Sequence, residues 1–456
     1  MKSKKAKKPN RLLWFAGTEY TKRFAKQINL KVFDGVSDKL KPPYIVLCNH
    51  GSVQDYKISC QVLRKLRPVH VTAHNQFFGR EKIMRMCGAV PTRQFSADIS
   101  LVKNIKSILD QKGVFVIYPE AAVSIDGANR KIHSNIAKLI KMFKLPVTVI
   151  NIKGAFISKP RWNEVQQKTD RTEAHFEVLF NKKEVESKSA DEIYEGIVAG
   201  LNHNVWDWQK ESGVRILSDG FLEKAENLLY QCPNCLTEFK MRGSGNVIRC
   251  EACGSKWRMS ELGEFEIEVK SEGRSLVGEV SNEYPKNVFE WMEFQRAQIK
   301  ERLKKGEYNF SVGVRLEVSE GFAKYKPTGE GVLSQTNEGL RYRGVKVKRY
   351  ERVSETSDNA EHLHLRANEV HTSGASKKEK VKSEDKSLVS EEKNNGEKIE
   401  LFFSADKTAD CLMSKYNAEI PAEDCNYRFV MKEVNASAKI CLGVYECWNS
   451  ANRKEE

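Results

Sequence analysis

The chain has 456 residues, of which 40% are hydrophobic and 30% charged, with a formal net charge of +15. This length exceeds one ordinary core, so two or three domains are expected, and the positive charge favours nucleic acid, anionic lipid surfaces or phosphorylated substrates as partners. No stretch approaches the roughly 20 apolar residues that span a bilayer, and the eleven cysteines suggest no secreted disulfide framework, so we expect an intracellular protein without a signal peptide.

The first residues combine positive charge with a short apolar group. Six Lys or Arg residues lie within the first eleven positions, and Leu12, Leu13, Trp14 and Phe15 follow. One interpretation is a disordered basic tail leading into the first turn of a core helix. The other is an interfacial anchor, whose basic residues contact lipid headgroups while Trp14 and Phe15 enter the membrane boundary.

Residues 44 to 162 alternate between two apolar patterns. Short buried strands are predicted at "YIVLCN", "HVTAH", "GVFVIYP" and "PVTVINIKG", and helices at "VQDYKISCQVLRKL", "ISLVKNIKSILDQ" and "SNIAKLIKMFK". Strands that alternate with helices predict an α/β layer domain. We place this domain at residues 1–225, including the basic N-terminus.

His50 and Asp55 follow the first of these strands and form a candidate catalytic pair. Gly51 allows a bend, and Ser52 to Asp55 fits a capping box at the start of the next helix. Asp55 would then lie in the first helical turn, within reach of the imidazole, where it could orient the ring for proton abstraction. On spacing alone, a capping box beside an incidental histidine is the favoured interpretation of the motif.

The order of motifs in this domain resembles the glycerolipid acyltransferase family, whose members acylate lysophosphatidate and related lysophospholipids. The first motif of that family is Asn-His, four residues, then Asp, as in "CNHGSVQD". Three further blocks follow in the family's order: "AHNQFFGREKIMRMCGAVPTRQ", "VFVIYPEAAVSIDG" and "LPVTVINIKGAF". The resemblance extends to about Lys210.

The resemblance implies roles for four residues. His50 would act as general base on the free hydroxyl of a lysophospholipid, and Asp55 would fix its tautomer. Arg93 would bind the substrate phosphate, and Glu120 would shape the site or contact the acceptor. The acyl donor would be a thioester on coenzyme A or acyl carrier protein. No acyl-enzyme is needed, and Cys48 is expected to point into the core.

Two blocks depart from the family pattern. Ala121, Ala122 and Val123 replace the usual Gly, Thr and Arg of the third block, and His74 replaces the usual Lys of the second. These changes remove cationic and hydroxyl groups that would hold a phosphate. They leave open an acceptor other than lysophosphatidate, or a domain that has lost activity.

A cysteine module follows, which we place at residues 226–262. Cys232 and Cys235 form one C-x-x-C pair and Cys250 and Cys253 a second, fourteen residues later. Two such pairs are typical of a zinc ribbon, in which four thiolates close a tetrahedral structural site. The alternative is four reduced cysteines without metal.

The remaining residues, 263–456, predict a mostly β domain. It includes a helix near 286–305, an alternating strand in "YNFSVGVRLEV", a hairpin turning at Asn337 to Gly339, and a disordered insertion near 372–398 that is almost entirely polar. A pleckstrin-homology-like fold is our interpretation of this pattern.

Two hypotheses emerge. The first is an acyltransferase bound peripherally to the inner, cytoplasmic face of a membrane through anionic lipid. The second is a degenerate acyltransferase-like scaffold that binds nucleic acid or protein through the zinc ribbon. Nucleic acid is the less expected partner, because no basic stripe with interleaved aromatic residues accompanies the ribbon. A protein partner could use the ribbon or the C-terminal domain.

Overall fold

The computed structural model describes residues 5–92, 99–269, 284–321, 323–347, 396–414, 416–422, 425–432 and 434–452. Arg93, the proposed phosphate contact, lies outside these ranges. So does almost all of the insertion predicted near 372–398. The described residues form an α/β domain, a small four-stranded sheet around the cysteines, and a mostly β region with two long helices.

The α/β domain is built on one mixed sheet. Its strands are β1 (Leu30–Asp34), β2 (Tyr44–Cys48), β3 (Val69–Ala73), β4 (Ala89–Thr92), β5 (Val114–Ile117), β6 (Val147–Lys153) and β7 (Thr172–Phe180). Its helices are α1 (Arg11–Gln27), α2 (Asp55–Val62), α3 (Glu81–Met86), α4 (Ile99–Asp110), α5 (Asn135–Phe143), α6 (Ala155–Ser158), α7 (Lys182–Ser187), α8 (Ala190–Leu201) and α9 (Val205–Ser212).

The strand order is β1-β7-β6-β2-β5-β3-β4, and the β6–β7 pair is antiparallel while the other neighbours are parallel. Every residue of β2 and β5 is buried, because helices cover both faces of the central strands. These two strands are parallel neighbours, so the segments that follow them meet at one edge of the sheet. His50 follows β2 and Glu120 follows β5 at that edge.

The cysteine module forms an antiparallel meander in the order β11-β10-β9-β8. Its strands are β8 (Met241–Ser244), β9 (Val247–Cys250), β10 (Lys256–Met259) and β11 (Phe265–Val269). Strand β11 pairs with β10, so the sheet continues past the boundary at residue 262 that the sequence suggested.

The C-terminal region contains a second, fully antiparallel sheet. Its elements are α10 (Val288–Lys304), β12 (Asn309–Glu320), β13 (Lys326–Thr336), β14 (Gly339–Lys346), β15 (Lys398–Ser404), β16 (Leu412–Ser414), β17 (Asn417–Pro421), β18 (Cys425–Met431) and α11 (Ser437–Asn452). The strand order is β15-β14-β13-β12-β18-β17-β16. The helix predicted near 286–305 and the hairpin turn after Thr336 are both present. The pleckstrin-homology-like assignment stays a prediction.

A single hydrophobic core joins these regions. It runs from Phe156 and the tryptophans of α9, through the cysteine module, to the C-terminal sheet and α11. The rings of Trp257 in β10 and Trp291 in α10 lie 5.1 Å apart, and Trp291 Nε1 donates to the Gln231 carbonyl oxygen at 2.9 Å. The cysteine module is therefore packed between the other two regions and does not stand apart on a linker.

Helix α1 presents an apolar surface close to its N-terminus. Leu12 is 81% exposed and Phe15 67% exposed. Trp14, which one of the two interpretations places in a membrane boundary, is instead buried, and its Nε1 donates to the Arg64 carbonyl oxygen at 2.8 Å. Among the described residues, no helix combines the length and apolar character needed to cross a bilayer.

Candidate active site

His50 and Asp55 are in contact. His50 Nδ1 lies 3.0 Å from Asp55 Oδ2, with Asp55 fully buried and the histidine side chain 21% exposed. An ionised carboxylate only accepts hydrogen bonds, so it favours the tautomer with the proton on Nδ1. In the neutral ring, Nε2 is then left as the basic nitrogen. The structure thus brings together the two residues that the sequence motif singled out.

The local fold explains how Asp55 reaches the ring. Helix α2 begins at Asp55, and Asp55 Oδ2 also accepts a hydrogen bond from the Ser52 N–H at 2.9 Å. This is one half of the capping box that the sequence predicted. The other half is not formed, because Ser52 Oγ accepts from the Gln54 N–H instead, at 3.3 Å. One carboxylate oxygen therefore fixes both the turn and the imidazole.

Burial controls the titration of the groups around this pair. Loss of solvent raises the pKa of the Asp55 carboxyl, and the hydrogen bond and charge of His50 oppose that shift. Burial also raises the pKa of the Cys48 thiol well above its ordinary value, and the side chain has no solvent exposure. Cys48 therefore lies in the core as expected, protonated and unsuited to nucleophilic attack.

Glu120 holds the second loop of the site in place. Its Oε1 accepts from the His50 N–H at 2.9 Å and from Asn129 Nδ2 at 2.8 Å, and its Oε2 accepts from the Arg130 N–H at 2.8 Å. Burial raises the pKa of this carboxyl, while these hydrogen bonds favour its ionised form. Both oxygens are engaged by the protein, so the geometry supports a site-shaping role for Glu120 over contact with an acceptor.

The altered third block forms a tight turn next to the His50–Asp55 pair. Ala121 has a left-handed backbone with φ +59, and the Ser124 N–H donates to the His50 carbonyl oxygen at 2.8 Å. Ala121, Ala122 and Val123 all line the neighbouring cavity. The turn thus keeps its connection to His50 but presents apolar side chains to the cavity.

Tyr118 is a neighbour of His50 that the sequence analysis did not identify. The two rings lie 4.5 Å apart, and Tyr118 Oη is 3.1 Å from Ser59 Oγ. Ser59 Oγ is in turn 3.0 Å from Nε2 of the buried His70, and burial lowers the pKa of His70 to about 3. This neutral hydrogen-bonded network packs against the imidazole ring of His50 through Tyr118. Its only sequence signal was the position of Tyr118 directly before Pro119 and Glu120.

His50 opens into a cavity of about 1270 Å³ whose lining contains both apolar and cationic side chains. The apolar part of the lining includes Val71, Met84, Ile99, Leu101, Val102, Ile136, Leu139 and Met142. The cationic part of the lining consists of Arg80, Arg130, Lys138, Arg161 and Arg428.

Two separate parts of the chain build this cavity. We define the near wall as the lining residues between His50 and Arg161, all from the α/β domain. The far wall comes from β16, β17 and β18 and consists of Leu412, Met413, Ser414, Glu419 and Arg428. The mostly β region thus completes the cavity of the α/β domain, a contact that no sequence pattern predicted.

The four-cysteine cluster is a separate candidate metal site. The Sγ atoms of Cys232 and Cys253 lie 3.8 Å apart and those of Cys235 and Cys250 lie 3.7 Å apart. All four Sγ atoms lie within 4.8 Å of one another. A tetrahedron with metal–sulfur bonds of about 2.3 Å has edges of roughly 3.8 Å, so the cluster fits one ion with four thiolate ligands and no open position.

Comparison with known proteins supports the sequence resemblance. Residues 17–153 match the family model described as Acyltransferase. No curated protein matches the chain significantly. A solved structure that is similar is the 1-acyl-sn-glycerophosphate (LPA) acyltransferase PlsC from Thermotoga maritima, with 16% sequence identity and a TM-score of 0.36, over 43% of this chain and 80% of that one.

Proposed function

We propose that the protein transfers a fatty acyl group from a thioester to the free hydroxyl of a lysophospholipid, and the match of residues 17–153 to the Acyltransferase family model supports this proposal. The observation that carries this proposal is the contact between His50 Nδ1 and the fully buried Asp55, beside a cavity with both apolar and cationic lining.

The proposed reaction is a direct transfer without an acyl-enzyme. His50 Nε2 takes the proton of the acceptor hydroxyl while its oxygen attacks the thioester carbonyl. The tetrahedral intermediate collapses and expels the thiolate, which recovers the proton from His50. Asp55 stabilises the imidazolium that forms between these steps and holds the ring so that Nε2 faces the substrate.

The apolar part of the cavity suits the acyl chain. Residues of α4 and α5, such as Leu101 and Leu139, line it, and a fatty chain would be removed from water there. The acyl donor, on coenzyme A or acyl carrier protein, and a phosphate-bearing acceptor would use the cationic part. Arg93, outside the described residues, stays a proposed phosphate contact.

Access to a lipid substrate would come from the protein surface. The exposed Leu12 and Phe15 of α1 lie close to the basic N-terminal residues, which favours a peripheral position on an anionic membrane, at its cytoplasmic face. We further propose that the four-cysteine cluster holds a structural zinc ion, which would fix the turns that carry the thiolates. A protein partner at the ribbon or the C-terminal region stays a proposal without a candidate surface.

A second candidate function is the degenerate scaffold. It is favoured by one observation: Ala121, Ala122 and Val123 line the cavity without offering a cation or a hydroxyl. In that case the protein would bind a partner through the ribbon, independently of His50.

Acyl transfer on liposomes tests the two candidates. Purified protein is given a panel of lysophospholipids and acyl-coenzyme A or acyl carrier protein donors, with products detected by mass spectrometry. His50→Ala, which removes the base, is expected to lower the rate by roughly 10²–10⁴-fold. Val198→Ala, at an exposed position of α8 outside the cavity lining, is the matched control. Failure of folded wild type to acylate any acceptor would favour the scaffold.

A further inference from the structure

Arg161 is a cation of the cavity that lacks a carboxylate in direct contact among the described residues. It lines the cavity, its Nη2 donates to the Met413 carbonyl oxygen of β16, and its buried Nε has no hydrogen-bond partner. Within the described part of the chain it forms no ion pair with a carboxylate. A guanidinium left in this state is costly, because a buried charge normally has a partner. Its environment is therefore incomplete without an anion.

The backbone around Arg161 is held firmly. Pro160 precedes it, and the buried Trp162 follows it and donates from Nε1 to the Phe221 carbonyl oxygen at 2.8 Å. With Met413 as the second anchor, the guanidinium bridges the α/β domain and the far wall. It is positioned by packing on both sides, which favours a binding role over a solvated one.

Arg130 is a second, weakly neutralised cation in the same lining. Its Nη2 lies 3.4 Å from Asp410 Oδ1, a long contact, and His133 Nε2 approaches the same carboxylate at 4.0 Å. Burial and, to a smaller extent, the charge of Arg130 lower the pKa of Arg161, while the charges of Cys441 and Glu419 oppose that shift. An anion between the two guanidinium groups would relieve their repulsion.

The position of Arg130 relative to the catalytic histidine is fixed by Glu120. The same carboxylate accepts from the His50 N–H at 2.9 Å and from the Arg130 N–H at 2.8 Å. The main chain that carries Arg130 is therefore tied to the loop that carries the candidate base. Arg428, by contrast, is already paired within the far wall, because its Nε lies 2.9 Å from Glu419 Oε1.

We propose that Arg161 and Arg130 form a phosphate-binding site that is complete only when β16 is docked on the α/β domain. Paired guanidinium groups bind phosphate through several parallel hydrogen bonds. Arg161 and β16 lie outside the segment that matches the family model, whereas Arg130 lies within it. This proposal rests on the proposed acyl transfer only for the identity of the ligand. That ligand is either the acceptor headgroup or the nucleotide of the acyl donor.

Binding measurements on full-length, metal-loaded protein separate the two ligands. Calorimetric titrations compare lysophosphatidate with monoacylglycerol, below their micelle-forming concentrations, and coenzyme A with 3′-dephospho-coenzyme A. In each pair only one compound carries the phosphate monoester. We expect wild type to prefer that compound at least tenfold in one pair, and Arg161→Gln to abolish the preference.

Matched variants guard against loss of folding. Arg215→Gln removes the same charge from an exposed arginine paired with Asp170 and is expected to bind as wild type does. Arg161→Lys keeps the charge but loses the planar guanidinium group, so it should retain part of the preference for the phosphate compound. This variant still tests the proposal if Arg161→Gln unfolds at a lower temperature than wild type. Equal affinity within both pairs for wild type, or an unchanged preference in Arg161→Gln, would overturn the proposal.

The binding readout does not depend on turnover. If His50→Ala and wild type prefer the phosphate compound equally but neither transfers an acyl group, the phosphate site stands and the proposed function fails. If wild type transfers acyl groups and Arg161→Gln changes neither the preference nor the KM of either substrate, the proposed function stands and the site fails.

Discussion

The two walls of the cavity are assembled in opposite ways. In the near wall, His50 and Asp55 lie five residues apart, and one turn at the end of β2 brings them into contact. In the far wall, Glu419 accepts from Asn75 Nδ2 at 3.4 Å and from Tyr325 Oη at 3.1 Å, partners 344 and 94 residues away. The contact between His50 and Asp55 is thus a local product of the chain, whereas the shape of the cavity depends on docking between distant segments.

The largest expected effect concerns the near wall alone. Asp55→Asn should place an amide N–H against His50 Nδ1, so that the ring carries its proton on Nε2 and loses its basic nitrogen there. We expect acyl transfer to fall by roughly 10²–10⁴-fold. Steady-state kinetics measure this loss, with the lysophospholipid that the liposome assay shows to be acylated as acceptor.

The thermal stability of Asp55→Asn should not fall together with its activity. The pKa of Asp55 is raised in the folded state, so the folded protein disfavours the ionised carboxylate and loses stability as the pH rises through that range. The neutral amide avoids this cost, and we expect the melting temperature at pH 7 to be unchanged or higher. A large drop in melting temperature would mean that Asp55 is mainly structural.

The next effect tests whether the far wall depends on the metal cluster. Cys232→Ser removes one of four thiolates from a module that shares its hydrophobic core with the C-terminal sheet. We expect zinc to be lost and the free energy of unfolding to fall by about 3 kcal/mol or more. Metal analysis and thermal unfolding measure both.

Cys425→Ser, at a partly exposed cysteine outside the cluster, is the control and should retain the metal. If the far wall is held through the shared core, Cys232→Ser should also raise the KM of the phosphate-bearing substrate. A variant that loses zinc but unfolds and binds as wild type does would separate the ribbon from the cavity.

A smaller effect is expected from the apolar part of the near wall. Leu139→Trp adds volume to α5 where it lines the cavity, so the longest acyl chains should be excluded first. We expect a roughly tenfold shift in kcat/KM toward short-chain donors, about 1.4 kcal/mol. Met142→Ala, one helical turn away in the same lining, should shift the preference in the opposite direction. Identical donor profiles would place the acyl chain elsewhere.

The smallest effect concerns the contact between the walls. The ring of Tyr325 lies 5.5 Å from that of Phe78 in the α/β domain and 3.6 Å beneath the Arg428 guanidinium. Tyr325→Leu keeps apolar bulk but removes the ring and the hydroxyl, with an expected cost of about 1 kcal/mol. Thermal unfolding should show it, together with a modest rise in KM and an unchanged kcat. A fall in kcat would mean that the far wall also affects the chemistry.

The sequence predicted those features that short segments determine. The apolar runs of β2 and β5 identified the buried strands, and the Asn49-His50 to Asp55 spacing predicted the contact between His50 and Asp55. The two C-x-x-C pairs likewise gave the cysteine cluster, because each pair is a single turn. In these cases the geometry follows from residues within one turn or one strand.

Other features depend on contacts that no short segment encodes. Arg161 lies beyond the four family blocks, and its role depends on the Met413 carbonyl group of β16, a three-residue strand that has little pattern of its own. Of the two interpretations that the sequence left open for Trp14, the structure supports the core helix, because the carbonyl oxygen of Arg64 gives its indole a buried partner. To assign such residues, one must know which distant elements of the chain are in contact.

The edge of the C-terminal sheet has a practical consequence. Val345 of β14 pairs directly with Lys398 of β15, and the Lys346 N–H donates to the Glu397 carbonyl oxygen at 2.9 Å. The chain therefore leaves the sheet and re-enters it at adjacent positions. The intervening segment can be exchanged for a short hairpin turn without changing the pairing on either side. A chain about fifty residues shorter should thus form the same two walls, giving a compact protein for crystallography and a natural insertion point for a fluorescent reporter.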